Sequence, residues 1–145
     1  MNIFNNKNMS RFMMIFLITI TIYSCNKKEY SNKEMNKIEN LQQLKKEPKF
    51  IASTFYPGLE NKENEKPLTD LLNSITGDFE AGIKNDYTEK QYQDLIEKSL
   101  MKFDSFHLDT EDREYICGYF EKIMDAVDLE SSGGVLNKWI YGTEL

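Results

Sequence analysis

Beyond Ser31 the apolar residues recur every three or four positions and never alternate over a useful length, so the pattern predicts helices without strands. Ser31 and Glu34 form a capping box ahead of Met35, Ile38, Leu41 and Leu44. Because these four are spaced strictly by three, their stripe turns through about 180°, and this first helix is expected to be peripheral or weakly docked. Pro48 ends it. Phe50 to Leu59 mixes apolar residues with a Pro57-Gly58 turn, and Glu60 to Lys66 reads as a solvated loop. Pro67 suits the first turn of a second helix, where its missing donor costs nothing. Leu68, Leu71, Leu72, Ile75, Phe79 and Ile83 then share an arc of about 120°. Gly82 lies on that arc, where it is expected to admit a neighbouring helix, and Gly77 lies opposite, where it only weakens the helix.

Thr88 and Gln91 make a second capping box, opening a third helix with Tyr92, Leu95, Ile96, Leu100, Phe103 and Phe106 on its apolar face. Asp109 or Thr110 caps a fourth, whose core face is Ile116, Phe120, Ile123, Met124 and Val127. After Ser131-Ser132-Gly133-Gly134, the residues Val135, Leu136, Trp139 and Ile140 predict a short last helix ended by Gly142. The expected fold is all-α, a compact single-domain bundle of four or five helices.

A different signal precedes the domain. An apolar run from Phe12 to Tyr23 follows Lys7 and Arg11 and leads into Ile22-Tyr23-Ser24-Cys25. The run has the length of a secretory signal and falls short of the roughly 20 residues that span a bilayer. It resembles the lipobox of a bacterial lipoprotein signal, although Tyr23 is bulkier than the usual residue there. That resemblance implies that Cys25 becomes the acylated first residue of the mature chain. The alternatives are a plain signal peptide with Cys25 unmodified, or an uncleaved interfacial segment. Met9 offers a second start that would give a tighter signal. The expected organisation is a signal peptide over residues 1–24, a polar tether over 25–34 and a helical domain over 35–145.

Charge and cysteines narrow the partners. The whole chain carries a formal net charge of −6, and removing residues 1–24 takes away Lys7 and Arg11 and no acid. An acidic mature chain disfavours nucleic acid and anionic headgroups, both of which reward clustered Lys and Arg. With Cys25 acylated, Cys117 has no partner in the chain and reads as a small buried hydrophobe.

From about Leu41 onward the chain resembles a small bacterial family defined only as a domain of unknown function. Tyr56-Pro57-Gly58-Leu59, Asp109-Thr110-Glu111-Asp112-Arg113-Glu114 and Leu136-Asn137-Lys138-Trp139-Ile140-Tyr141-Gly142 carry the resemblance. It implies a domain boundary and no activity.

The supply of reactive groups is thin. His107 is the single histidine; with Asp109 and Asp112 it could offer a nitrogen and two carboxylates to a metal, but the acids also serve as cap and dipole partners of the fourth helix. The segment lacks the sixth-position glycine of an EF-hand loop. Ser131 and Ser132 have no nucleophile-elbow context and read as a hinge. No catalytic, metal or cofactor site is therefore expected.

Two features remain. Arg113 falls within the apolar arc of the fourth helix but in its first turn, where the dipole disfavours a cation, so a buried ion pair with a carboxylate is expected, with an acidic-ligand site as the alternative. Tyr115, Tyr119 and Tyr141 form a candidate partner surface at the edge of that helix, while Trp139 reads as core. The chain is thus expected to be a non-enzymatic, membrane-anchored lipoprotein of the cell envelope, facing the periplasm or cell exterior and binding another envelope protein. An immunity-type protein or inhibitor of a basic toxin or envelope hydrolase is the alternative, and a small envelope enzyme a third reading.

Overall fold

The computed structural model describes residues 29–142. The apolar run before Cys25, and Cys25 itself, lie outside the described residues. Among the described residues five α-helices follow in order: α1 (Asn32–Lys46), α2 (Glu65–Lys84), α3 (Glu89–Leu100), α4 (Thr110–Val127) and α5 (Val135–Tyr141). Short 3-10 turns at Lys62–Asn64 and Met101–Phe106 precede α2 and extend α3, and no strand occurs among the described residues. The expected all-α fold is the one found. Helix α1 opens inside the stretch read as tether, because the Ser31 capping box starts it at Asn32.

Both capping boxes form. The Ser31 hydroxyl accepts the Glu34 N–H while Glu34 accepts the Ser31 N–H, and Thr88 and Gln91 do the same at α3. Each pair satisfies two donors that a helix start otherwise leaves open. Asp109 caps α4 by accepting the Asp112 N–H at 2.8 Å. Gly142, at φ 72°, closes α5.

Helix α4 is the axis of the bundle. Its Ile116, Phe120 and Ile123 are fully buried against Leu68, Leu72, Ile75 and Phe79 of α2, Ile96 of α3, and Phe103. Burying a side chain of this size contributes about 1.5–3 kcal/mol, so this shared core supplies most of the stability. On one flank α1 runs antiparallel to α4: the Lys37 ammonium donates to the Val127 carbonyl at one end, and the Tyr119 hydroxyl donates to the Leu44 carbonyl at the other. On the opposite flank α5 also runs antiparallel, with Leu136 beside Cys117 and Trp139 beside Arg113.

Helix α1 is docked more firmly than its drifting stripe predicts. Met35 is exposed, as the drift implies, but Leu41 and Leu44 are buried in the core. The difference comes from the helix end. Lys49 folds back so that its ammonium donates to the Leu44 and Glu47 carbonyls, both at 3.0 Å, and lies over the Tyr119 ring. A cation at a helix C-terminus meets both the open carbonyls and the negative end of the dipole.

The two glycines of α2 differ as their positions predict. A Cβ on Gly82 would lie 2.7 Å from Tyr92 Cε1, and that ring is stacked on Phe79 and cannot retreat. A Cβ on Gly77 would meet only the end of Lys45, at 3.7 Å. Overpacking typically costs about 1–3 kcal/mol, more than the helix-propensity gain of about 1 kcal/mol. Gly82→Ala is therefore expected to destabilise and Gly77→Ala to stabilise. Urea denaturation of both variants checks this, and shifts of the same sign would contradict the packing described.

Candidate functional site

The end of the bundle where α1 stops and α4 starts gathers most of the unusual chemistry. Lys49 and Phe50 leave α1, and the chain loops out through Ile51–Phe55 before returning at Tyr56 and Leu59. Phe50 adopts a left-handed conformation (φ 58°), costly for a bulky residue, and is held there by burial and by an N–H that donates to the Tyr115 hydroxyl at 2.8 Å. Tyr115 stacks between the rings of Phe50 and Tyr56. Gly58 turns the chain back at φ 86°, and its missing side chain leaves room for Lys62 Nζ and Ala52.

Tyr56 anchors the return. Its hydroxyl donates to Asp112 Oδ1 at 2.6 Å, and both side chains are buried. The Asp112 carboxyl is held above the usual carboxylate range, chiefly by burial; the Tyr56 bond works against this, while Asp109, Glu111 and Glu60 add to it. Burial likewise pushes the Tyr56 hydroxyl far up, with the Asp112 bond adding to it. The pair is a structural tie between loop and helix.

Between these anchors the loop does the opposite of packing. Phe55 is 96% exposed and Ile51 58% exposed. The excursion is braced, since the Ser53 N–H donates to the Tyr56 carbonyl at 2.7 Å and Ser53 Oγ accepts the Phe55 N–H.

Among the described residues Arg113 makes no ion pair. Among the described residues its partners are the Trp139 carbonyl at 3.1 Å, the Leu108 carbonyl at 3.4 Å and the Trp139 indole, 4.8 Å beneath the guanidinium. The Trp139 carbonyl near the end of α5, the Leu108 carbonyl just before α4 and a ring face provide the compensation expected from a carboxylate. Of the three tyrosines expected at a partner surface, one is buried and one half-buried. Tyr119 is buried, bonded to the Leu44 carbonyl, with its hydroxyl pushed up to about 12 by desolvation; Tyr115 is half-buried in the aromatic stack. The edge they occupy on α4 is covered by the end of α1 and by Phe50. Tyr141 is exposed and donates to Glu114. Trp139 is half-buried against Phe103, its indole N–H donating to Asp104.

The remaining candidates converge on nothing. His107 is exposed in the turn before α4, and no group of three or more His, Cys, Asp or Glu among the described residues could hold a metal ion. Ser131 Oγ accepts the Gly133 N–H in the hinge before α5. Cys117 is buried and free, its thiol pushed up to about 12 by burial. At the far end of the bundle an open cleft of about 480 Å³ lies between the start of α1 and the ends of α2 and α4, with Lys37, Ile83, Tyr92 and Asp128 in its wall. No described helix is long and apolar enough to cross a membrane.

Sequence reasoning passed over Lys49, Tyr56 and Phe55. A cation just past Pro48 was the available signal for Lys49; irregular backbone has no period, so nothing marked Tyr56 as inward and Phe55 as outward.

These features define a compact, single-domain all-α protein whose α4 is clasped by α1 and α5. The family follows from comparison. A family model described as domain of unknown function DUF4844 matches residues 30–144, and the chain belongs to that family. Among solved structures it is similar to a DUF3571 family protein from Acinetobacter baumannii AYE, at 31% identity and a TM-score of 0.71, over 77% of this chain and 94% of that one. No curated protein matches it.

Proposed function

We propose that this chain is a lipid-anchored protein of the cell envelope, held by acyl chains on Cys25, whose helical domain binds another envelope protein without catalysing a reaction. The observation that carries the binding role is the braced loop that holds Phe55 fully in water at the end of the bundle where α1 stops. A large aromatic kept out of the core gives up burial the fold could have used, and aromatics dominate interface energetics. The loop also lies at the opposite end of α1 from its start. Helix α1 is 15 residues long, about 22 Å, and the tether enters at its start while the loop follows its end.

The anchor is read from Ile22-Tyr23-Ser24-Cys25 after the apolar run. Stable anchoring takes two or more acyl chains, since one gives only marginal binding. Cys25→Ser is expected to move the protein out of the detergent phase of a detergent partition, or to leave the signal uncleaved. Wild-type protein in the aqueous phase would overturn the anchor.

A further inference from the structure

We propose that the open cleft between the start of α1 and the ends of α2 and α4 binds an organic cation, a primary ammonium on an alkyl chain, held by the Tyr92 hydroxyl and a rim of carboxylates. Tyr92 carries the argument. Among the described residues three tyrosines are buried, and two give their hydroxyls to the fold, Tyr56 to Asp112 and Tyr119 to the Leu44 carbonyl. Tyr92 is 7% exposed, yet its hydroxyl makes no hydrogen bond with any described residue. The hydroxyl is not sealed in the core, since the buried side-chain atoms left without a partner there are Asn73 Oδ1 and Ser99 Oγ. It therefore opens into the cleft, whose wall includes Tyr92.

The ring itself is fixed, stacked on Phe79 at 5.4 Å and seated on Gly82, so the hydroxyl is presented at a set position. A phenylalanine would fill the same place in the core, which leaves the hydroxyl for whatever enters the cleft. Burial, with Tyr87 and Asp86 adding to it, pushes that hydroxyl up to about 12. At neutral pH it keeps its proton, and its lone pairs can accept from an ammonium.

The rest of the wall selects the ligand. Ile83, Val127 and Leu129 are buried and give an apolar floor for an alkyl chain, while the exposed Tyr87, edge-on to Tyr92, offers a ring to a cation. Glu34, Asp86, Glu89, Asp128 and Glu130 line the cleft against one lysine, Lys37. Lys33 and Lys37 both bind Asp128, at 2.9 and 3.1 Å, whereas Lys84 is matched by Glu80 and Lys90 by Asp94 outside the cleft. With Lys33 and Lys37 counted in full, acids still outnumber cations around the cleft among the described residues. Two helices start and two end at this face, so their dipoles offset and the side chains set the sign. That sign disfavours an anion, and no three of these acids are placed to hold a metal ion. A volume of about 480 Å³ suits a small organic group.

The test is an amide NMR titration of the full chain in zwitterionic micelles with cadaverine, with acetyl-lysine methylamide, and with pentanol as the uncharged control. At least one amine is expected to give saturable shifts at Ile83, Tyr87 and Leu129 that weaken as salt rises, and pentanol none. The tighter amine gives the source, a free amine or the lysine side chain of a protein. Tyr92→Phe should weaken amine binding about fivefold or more, and Glu89→Gln combined with Glu130→Gln several-fold. The urea midpoint of Tyr92→Phe should equal or exceed that of wild type, because no bond within the protein is lost. A clear drop in that midpoint would make the hydroxyl structural and overturn the proposal. So would full affinity in Tyr92→Phe, pentanol shifts equal to those of the amines, or no saturable shift with either amine. The Phe55 loop lies at the other end of α1, so these outcomes leave the protein-binding role to its own test.

Discussion

Replacing Tyr119 with alanine is expected to cost about 3–5 kcal/mol, the range for deleting a large buried aromatic. The ring is covered on one side by the Lys49 ammonium, 4.9 Å from its centroid, and its hydroxyl donates to the Leu44 carbonyl at 2.7 Å. Its loss would open a cavity between α1 and α4 and remove the surface over which Lys49 is held. A small domain has about 5–15 kcal/mol in total, so this variant should be partly unfolded at modest urea. Tyr119→Phe should be far milder, about 1 kcal/mol, because Lys49 still satisfies the Leu44 carbonyl at 3.0 Å. Equilibrium urea denaturation of both variants separates the two effects. A nearly wild-type Tyr119→Ala would mean that the ring faces solvent and that the edge of α4 is a surface after all.

Tyr56→Ala is expected to be comparably damaging, about 3–5 kcal/mol, since it removes a buried ring stacked on Tyr115 and strips Asp112 of its donor. Tyr56→Phe keeps the ring and should cost about 1–3 kcal/mol, the penalty for a buried polar group left unpaired. Asp112 adds a pH dependence whose sign is fixed by its raised pKa. The folded state holds the Asp112 proton more tightly than the unfolded state. The associated stability is therefore complete below the unfolded carboxyl value of about 3.9 and is lost as pH rises through the higher folded value. Asp112→Asn keeps an acceptor for Tyr56 and cannot ionise, so its stability relative to wild type should improve from acid to neutral pH. Urea midpoints of the two proteins at both pH values measure the difference, and a relative loss for Asp112→Asn on going to neutral pH would contradict the burial argument.

What could be read from the chain was whatever depends on near neighbours. Ser31 with Glu34, Thr88 with Gln91, and Asp109 act over three residues, and the stripes of α2, α3 and α4 repeat along single helices, so their positions in sequence are already their positions in space. Gly82 was assignable because it lies on the apolar arc of its own helix, where a neighbouring helix packs; that Tyr92 is the residue it admits is set by the packing. The misread residues all answer to partners far along the chain. Tyr119 lies at the edge of its stripe, and only the arrival of α1, with Leu44 lying 75 residues earlier, makes that edge interior. Arg113 needed compensation, as its place in the first turn implied, but the compensating group was a backbone carbonyl, which every residue carries and no sequence pattern marks. The candidate site was the least visible part. Its anchors, Phe50 and Tyr56, and its exposed member, Phe55, sit in irregular chain, where inward and outward are decided by a strained φ and a hydroxyl bond.

The central claim is that the Phe55 loop is covered in the envelope and bare in the isolated protein. The most direct measurement is the maleimide labelling rate of a Thr54→Cys variant, which keeps Phe55, read on the peptide that contains position 54, in intact envelopes and after purification. Cys117 contributes little, because its thiol is buried and pushed up to about 12. A cysteine replacing the exposed Lys98 serves as the reference. The account predicts that position 54 labels several-fold more slowly in envelopes than in the purified protein, while position 98 labels equally in both. Equal labelling of position 54 in both states, in a protein that retains its helical spectrum, would contradict it.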